Sequence, residues 1–507
     1  MPAQQADERT RLLKHNQPNN GRNEQTSEHQ QDGNASQGDN DREDVEVVDF
    51  EKDDNENPRN WPLFWKYIQV LLVFSIGLLL PMTSSIFAPG VDKIASDYGT
   101  NNQFVMGGQT GFVVMLGIGP LFFAPMSETF GRRIVFLTNM TLFTLVQIPT
   151  ALAPNASTFI AMRTLSGLFG SVGVANGGGS ISDMFETHER AAVLGFYLLG
   201  PLIGPTLGPF AGGLILAHLH WRWLFGFTCI ISAVITITCF MLLHETYAPI
   251  VLDQRKKRLE KEYEGKSFKV EGQTDMGLLQ KIGGNSTRAT KILFGQPIVL
   301  IMSIYQALIF STMYSLYSQF TTIWSSPPYN FNTTQLALSY LGPATGFIVT
   351  ACIIVPFIDR VYNRLAQTYN NGKGKPEYRL PLANIGAVFL PASLFWFGWT
   401  VQAGKPWPVA LSAMLLFGAS QVSIFNTVQN YYIDAFESMA ASALAAGSVL
   451  RSIIGGVVPL FVSKMFEQIG YGWGFSVFGI MALVLMPAPL LFFWYGERLR
   501  ERFAMDL

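Results

Sequence analysis

Two arginines in long apolar stretches are the residues of this sequence best placed to do chemistry. Arg163 lies in the stretch 157–181, and Arg451 lies in the stretch 438–463. An ionisable side chain inside a membrane span marks a functional site by default, because a charge in lipid is costly. No apolar stretch of the chain carries Asp or Glu near its middle. If these arginines line a binding cavity, that cavity has positive charge and no deep carboxylate. Such a cavity would disfavour a cationic ligand and accept a neutral or anionic one.

Each arginine also has a simpler explanation. Arg163 is near the outer end of its stretch, from which its side chain could reach water. Arg451 is deeper and could pair with backbone carbonyls. Which explanation holds depends on the residues that surround each guanidinium.

The sequence contains none of the motifs expected of an enzyme or an ATP-driven pump. It lacks a Walker-type nucleotide-binding loop, a Ser-His-Asp or His-Glu-x-x-His arrangement, and paired carboxylates within an apolar stretch. The cysteines Cys229, Cys239 and Cys352 all lie in apolar stretches and are best explained as small core residues. We therefore expect no catalytic residue, no cofactor, no metal site and no nucleic-acid partner.

The elements that must position the arginines are membrane spans. The chain has 507 residues, of which 49% are hydrophobic and 14% are charged, whereas about 25% of the residues in a soluble domain are charged. The apolar residues form stretches of about 20 residues, the length that crosses a bilayer as a helix. We predict an all-α membrane protein with twelve transmembrane helices, at about 66–88, 104–126, 134–153, 157–181, 190–216, 223–243, 295–323, 334–357, 379–402, 407–430, 438–463 and 473–495.

One long connection divides these helices into two sets of six. We predict an N-terminal six-helix bundle at 61–243, a cytosolic central loop at 244–294 and a C-terminal six-helix bundle at 295–498. Residues 1–60 are polar and almost free of aromatic residues, a composition that predicts a disordered tail, and residues 499–507 form a second cytosolic tail. Lys and Arg concentrate in the turns on one side of the predicted bilayer, so both termini should be cytosolic.

Two short matches indicate that the halves are repeats. Residues 125–133, after the second span, align with residues 356–364, after the eighth. Asp183-Met-Phe-Glu and Asp434-Ala-Phe-Glu both stand between the fourth and fifth spans of their half. Parallel repeats of this kind bind substrate at their interface, near the bilayer midplane.

The turn after the second span resembles the signature of the major facilitator superfamily, Gly-x-x-x-Asp-Arg-x-Gly-Arg-Arg. Here it reads Ala124-x-x-x-Glu128-Thr-x-Gly131-Arg132-Arg133, so the first Gly and the Arg after the acid are missing. In the family this cytosolic turn latches the halves in the outward-facing state. The resemblance implies that Glu128 caps and pairs with helix ends and that the two arginines pair with carboxylates. Alternatively, the arginines only obey the positive-inside rule.

The fifth span resembles the pattern of superfamily exporters, G-x8-G-x3-GP-x2-GG. The pattern is matched at every position by Gly195, Gly204, Gly208-Pro209 and Gly212-Gly213. Small residues allow helices to approach closely in lipid, and a proline permits a kink. The resemblance implies a hinge between the halves and favours export, because importers usually lack the pattern. Ordinary close packing without a gating role is the alternative.

Arg163 begins a third similar motif, Arg163-Thr-Leu-Ser-Gly167, whose embedded arginine is implicated in proton coupling in the family. A positive charge near a proton-binding carboxylate lowers its pKa by roughly 1–3 units, so movement of the arginine would let that carboxylate reload. Further stretches resemble the fungal branch of the drug:proton antiporter family with twelve spans, namely 57–61, 221–223, 245–249, 376–381, 442–444 and 451–452. The resemblance covers about residues 57–502.

The resemblance implies two sets of site residues. Proton coupling and gating would involve Glu128, Arg132, Arg133, Arg163, Asp183, Gly204, Gly208, Pro209, Gly212 and Gly213. The first, fourth, seventh and tenth spans line the cavity in this fold, and Arg451 of the eleventh is added for its charge. Substrate would then contact Gln69, Ser84, Ser85, Asn176, Tyr305, Gln306, Tyr314, Tyr317, Gln421, Asn426, Gln429 and Arg451. Candidate glycosylation sites, in sequons of outward-facing turns, are Asn155 and Asn332.

Together these features predict a secondary active exporter that exchanges a small organic molecule for protons. The substrate would be a secondary metabolite, an organic acid or a xenobiotic, and we expect a monomer in the lipid bilayer of the plasma membrane, with the vacuolar membrane as the alternative. An importer on the same fold and a membrane sensor without transport are the alternative functions. Sensors of this type usually carry a long signalling tail, which the short predicted C-terminal tail disfavours.

Overall fold

The computed structural model describes residues 46–51, 53–263, 268–270, 277–436 and 440–503. Most of the predicted N-terminal tail and the last four residues of the chain lie outside these ranges. Nearly all of the described chain is helical, and short turns join most of the successive helices.

The N-terminal half contains six helical spans, two of them broken. They are span 1 (Leu63–Ser85), span 2 (Asn102–Ile118 and Pro120–Phe130), span 3 (Arg132–Ala151), span 4 (Ala156–Gly170 and Val172–Met184), span 5 (Thr187–His218) and span 6 (Arg222–Leu242). Span 2 bends by 43° between its two parts. The bend precedes Pro120, which lacks the N–H that would continue the helical ladder.

The C-terminal half repeats this plan. Its first four spans are span 7 (Pro297–Ser325), span 8 (Thr333–Ser339 and Leu341–Tyr369), span 9 (Pro381–Gln402) and span 10 (Trp407–Ala435). Span 11 begins with Ala440–Val457 and continues from Pro459, and span 12 ends with Ala488–Arg502. The helical run Pro459–Leu485 is interrupted at Gly470, where φ is 76°. A left-handed φ suits glycine, and we place the boundary between spans 11 and 12 at this residue.

Ten helices of the described residues are long and apolar enough to cross a membrane, and the bent span 2 makes eleven. One of the ten is the run Pro459–Arg502, and the helix before it, Ser442–Val457, is too short to cross a membrane alone. Division of the run at Gly470 adds residues 459–469 to that short helix to form span 11 and leaves the rest as span 12. The total is then the predicted twelve spans. The predicted all-α architecture of two six-helix halves is therefore confirmed.

The bundle has one end rich in paired charges. The helix ends that carry Arg132, Asp183, Arg379 and Asp434 meet there, and we call it the charged end. The turns that follow spans 1, 3, 5, 7, 9 and 11 form the opposite end, which we call the distal end.

Spans 1 and 5 pack with their backbones in contact. A Cβ at Gly208 would overlap the carbonyl oxygen of Met82, and a Cβ at Gly212 would overlap that of Ile86. Only glycine permits this approach, which is the packing expected of small residues on a membrane helix. Pro209 lies inside the continuous helix of span 5.

Two seams join the halves. Span 5 contacts span 8 through Gly213, where a Cβ would lie 2.7 Å from the Cβ of Ala337. Span 2 contacts span 11 through Gly117, which faces the side chain of Ser452. Spans 5 and 2 are therefore the elements of the N-terminal half that meet the C-terminal half most closely along their length.

Residues 46–51 and 53–60 belong to the folded part of the chain, which corrects their assignment to the disordered tail. The strand β1 (Glu46–Val48) pairs in parallel with the strand β2 (Phe268–Val270) of the central loop. Val48 is buried against Leu252 of the helix Ala248–Glu262.

Ion pairs hold the same two segments together. Arg255 pairs with Asp54, and Arg258 Nη1 lies 3.0 Å from Glu56 Oε1. The composition of the tail predicted disorder because it counts Asp54 and Glu56 only as charged residues of a polar segment. Their partners, Arg255 and Arg258, lie some two hundred residues later in the chain.

We expect Gly208→Leu to abolish transport while the protein still reaches the membrane, because a side chain would hold spans 1 and 5 apart. Gly208→Ala should lower the free energy of unfolding by about 1–3 kcal/mol, the usual cost of overpacking. Gly107→Ala is the matched control, because its Cβ would meet Ile160 at an ordinary 3.5 Å. Transport assays and thermal unfolding in detergent would measure both effects. Wild-type transport by a well-expressed Gly208→Leu variant would contradict the role of this contact.

Candidate functional site

A cavity of about 530 Å³ lies between the halves. Spans 2, 4, 5, 10 and 11 form most of its wall, and spans 1 and 7 contribute Pro81, Phe310 and Tyr314. At the charged end the wall includes Glu128, whose side chain is exposed. The cavity therefore opens at the charged end.

Hydrogen bonds between the halves close the cavity toward the distal end. Ser84 Oγ of span 1 lies 3.0 Å from the hydroxyl of Tyr314 of span 7. The hydroxyls of Thr206 and Tyr317 are also paired, which joins spans 5 and 7. Thr110 of span 2 donates to a span 11 carbonyl oxygen at 2.7 Å. The cavity is therefore open at the charged end and closed toward the distal end.

Arg132 connects three segments at the mouth of the cavity. Its Nε donates to Asp183 Oδ2 at 3.1 Å, and its Nη1 donates to Ser127 Oγ at 2.7 Å. The guanidinium also lies 5.1 Å from the ring centroid of Tyr247, beyond span 6. Burial raises the pKa of the Tyr247 phenol, so the ring stays neutral beside this ion pair.

Glu245 performs the capping that the motif assigned to Glu128. Glu245 Oε1 accepts from Arg132 N at 2.9 Å, and Oε2 accepts from Arg133 N at 3.0 Å. The first N–H groups of a helix have no hydrogen-bond partner within the helix, so these two need an acceptor from elsewhere. A carboxylate at this end of span 3 also complements the helix dipole. Arg133 donates from Nε to the Leu243 carbonyl oxygen at 2.7 Å, rather than to a carboxylate. The turn is thus held to the end of span 6, and Glu128 is left facing the cavity mouth.

The C-terminal half has an equivalent ion pair, but its arginine lies outside the segment 356–364 that aligns with residues 125–133. Arg379 Nε donates to Asp434 Oδ2 at 2.7 Å. Span 8 continues as a helix through Arg364 to Tyr369, so the turn begins later than in the first half. Arg379 stands just before span 9, as Arg132 stands at the start of span 3.

Arg163 is fully buried and does not reach water. Its Nη2 donates to the carbonyl oxygens of Thr83 and Ser84 at 2.9 and 3.0 Å. Its guanidinium lies 4.5 to 5.5 Å from the ring centroids of Phe87, Phe112 and Phe225. Within the described residues, the Arg163 guanidinium contacts backbone carbonyls and aromatic rings. None of these contacts is the proton-binding carboxylate that the motif led us to expect.

Arg451 lies in the cavity wall. Its guanidinium is 4.7 Å from the ring centroid of Phe310 and 5.1 Å from that of Phe425. Its Nη1 lies 3.3 Å from Gln306 Oε1, and its Nη2 lies 3.2 Å from Ser448 Oγ. Its described partners are therefore two side-chain oxygens and two rings, rather than the backbone carbonyls of the simpler explanation.

Three of the twelve residues predicted to contact substrate line the cavity, namely Tyr314, Gln429 and Arg451. The other nine are buried but lie outside its wall: Gln69, Ser84, Ser85, Asn176, Tyr305, Gln306, Tyr317, Gln421 and Asn426. Gln69, for example, donates to the Leu242 carbonyl oxygen at 2.8 Å and ties span 1 to the end of span 6. The prediction missed the walls formed by spans 2 and 5, and it missed most of span 11, because span membership alone does not tell which face of a helix looks inward.

The two sequon asparagines cap helices at the distal end. Asn155 Oδ1 accepts from Thr158 N at 2.8 Å, and Asn332 Oδ1 accepts from Gln335 N at 2.8 Å. Both asparagines are exposed. Their glycosylation stays a prediction.

Known proteins match this chain over most of its length. The family model described as Major Facilitator Superfamily matches residues 73–459. The efflux pump radE of Floropilus chiversii is 36% identical over 92% of this chain and 87% of that protein. The MFS-type transporter penM of Penicillium rubens is 36% identical over 90% of each chain. The multidrug transporter mdrA of Aspergillus fumigatus is 34% identical over 91% of this chain and 76% of that protein.

Solved structures share the fold. The proton:xylose symporter XylE superposes with a TM-score of 0.63 and 16% identity, over 86% of this chain and 96% of that chain. At this identity the likeness concerns the arrangement of helices alone.

We expect Glu245→Ala to lower the free energy of unfolding by about 1–2 kcal/mol, as the loss of a helix cap does. Glu128→Ala is the matched control at an exposed position and should change it by no more than about 0.5 kcal/mol. Thermal unfolding of the purified variants in one detergent would compare them. Equal effects of the two substitutions would show that Glu245 is not the cap on which span 3 depends.

Proposed function

The chain belongs to the Major Facilitator Superfamily, and we propose that it is a secondary active exporter that exchanges a small organic molecule for protons. The family makes it a membrane transporter rather than an enzyme. The relatives named as efflux pump and multidrug transporter support the direction of transport, and so does the glycine pattern of span 5.

The observation that carries the proposal is a cavity open at one end only. The open end is the charged end, where Lys and Arg concentrate, and the positive-inside rule places that end in the cytosol. In this state the cavity loads from the cytosol, as an exporter must. We place the protein in the plasma membrane as a monomer, with the vacuolar membrane as the alternative.

Proton coupling would use the contacts that link Arg163 to the distal closure. Arg163 holds the carbonyl of Ser84, and the hydroxyl of Ser84 pairs with Tyr314. Any rotation of span 1 that breaks one contact therefore disturbs the other. The carboxylates that face the cavity mouth are Glu128, Asp183 and Asp434, and we propose the ion-paired Asp183 and Asp434 as proton acceptors when their arginines move away.

An importer is the second candidate, because the structural neighbour XylE is a proton:xylose symporter on the same fold. Inside-out vesicles with an imposed pH gradient separate the two. An antiporter should accumulate a radiolabelled substrate when the vesicle lumen is acidic, whereas a symporter should need an alkaline lumen. No accumulation under either gradient, with neutral, acidic and cationic compounds, would contradict transport and favour a sensor.

Arg163→Ala should lose accumulation driven by the pH gradient, because the carbonyls of span 1 lose their shared donor. Arg163→Lys should retain part of it, since Lys keeps the charge without the planar fork of donors. The control is Arg222→Ala, which removes a half-buried arginine at the distal end. Initial rates of uptake into inside-out vesicles with an acidic lumen would measure all three. Normal uptake by Arg163→Ala would show that this arginine is a structural residue only.

A further inference from the structure

Arg451 is a buried charge in the wall of the cavity. It lies on span 11, outside the four spans expected to line a cavity of this fold, and its side chain is 6% exposed. Phe310 and Phe425, whose ring centroids are 5.7 Å apart, lie together on one side of its guanidinium and also line the cavity. The cation lies over the faces of these rings, and its N–H groups remain for hydrogen-bond partners.

The guanidinium has more donors than the protein satisfies. An arginine carries five N–H groups, and one each from Nη1 and Nη2 is directed to Gln306 and Ser448. Nε has no hydrogen-bond partner in the described part of the chain. Leaving a buried cation partly unsatisfied costs free energy, and an anion arriving in the cavity would recover it.

The acids that face the cavity leave this charge unneutralised. Glu128, Asp183 and Asp434 are the acidic residues of the described wall, and they belong to the charged end. Two of them are already paired with arginines. The inner part of the cavity is therefore positive, and its mouth is mixed in charge.

We propose that Arg451 binds an acidic group of the substrate, a carboxylate or an ionised phenol or enol. This inference rests on the proposed transport function and names the substrate class of its cavity. The N–H groups of Arg451 that the protein leaves unpaired would donate to the oxyanion, and Phe310, Phe425 and Tyr314 would contact an apolar, flat body. Gln429, also on the wall, is placed to bind a neutral polar group of the same molecule.

Binding to purified protein tests this without any need for transport. The probes are aromatic acids and their neutral amides, such as 6-hydroxy-2-naphthoate and 6-hydroxy-2-naphthamide, and the readout is ligand-induced thermal stabilisation in detergent. Wild-type protein should bind the acid more tightly than the amide. Arg451→Gln should weaken acid binding about tenfold to hundredfold, the range for a charge-assisted hydrogen bond, and leave amide binding nearly unchanged. Arg451→Lys should lie between them and covers the case in which Arg451→Gln does not fold.

Arg190→Gln is the matched control, since Arg190 also lines the cavity. It should keep the preference for the acid. Equal binding of acid and amide by the wild type, binding of neither compound, or loss of the preference only in Arg190→Gln would overturn the proposal. The two proposals can be separated. If purified protein prefers the acid through Arg451 but vesicles accumulate no compound, the proposed transport function is wrong and the proposed binding site is supported.

Discussion

A positive charge among apolar helices must be held by oxygens and rings, and two such charges organise the centre of this molecule. Arg163 meets part of this constraint through two carbonyls of span 1 and three phenylalanine rings, while its Nε and Nη1 have no hydrogen-bond partner in the described part of the chain. Because a charge in lipid is expensive, these contacts fix the distal part of span 1 against span 4. The same stretch of span 1 supplies Ser84 to the closure with Tyr314. A buried charge in one half is thus connected to the contact between the halves.

The close contact between spans 1 and 5 joins span 5 to the part of span 1 that Arg163 holds. Gly208 and Gly212 bring their backbones against Met82 and Ile86, next to the residues that Arg163 holds. Span 5 then contacts the C-terminal half through Gly213. Spans 1, 4 and 5 are therefore held together by direct contacts, and span 5 joins them to the C-terminal half.

Much of this could be predicted from the sequence, because hydropathy reports spans and small residues report close approach. The fold and the contact of span 5 follow from such local patterns. The residues of the cavity wall could not be predicted from such patterns. Ser85 and Gln429 are both polar residues of spans expected to line the cavity, yet Ser85 donates to the Pro205 carbonyl and only Gln429 faces the cavity. The cap of span 3 comes from Glu245, more than a hundred residues beyond the turn it stabilises. The pairing of β1 with β2 likewise depends on partners that no local pattern reveals.

The central claim is that the cavity opens to the cytosol while its distal end is closed. It can be tested in a background in which Cys229, Cys239 and Cys352 are replaced, with a single cysteine at Ala175 on the cavity wall. Ala403→Cys, exposed at the distal end, provides the reference. A membrane-impermeant maleimide should label Ala175→Cys in inside-out vesicles and Ala403→Cys in intact cells. Labelling of Ala175→Cys in intact cells, with protection in inside-out vesicles, would contradict the account.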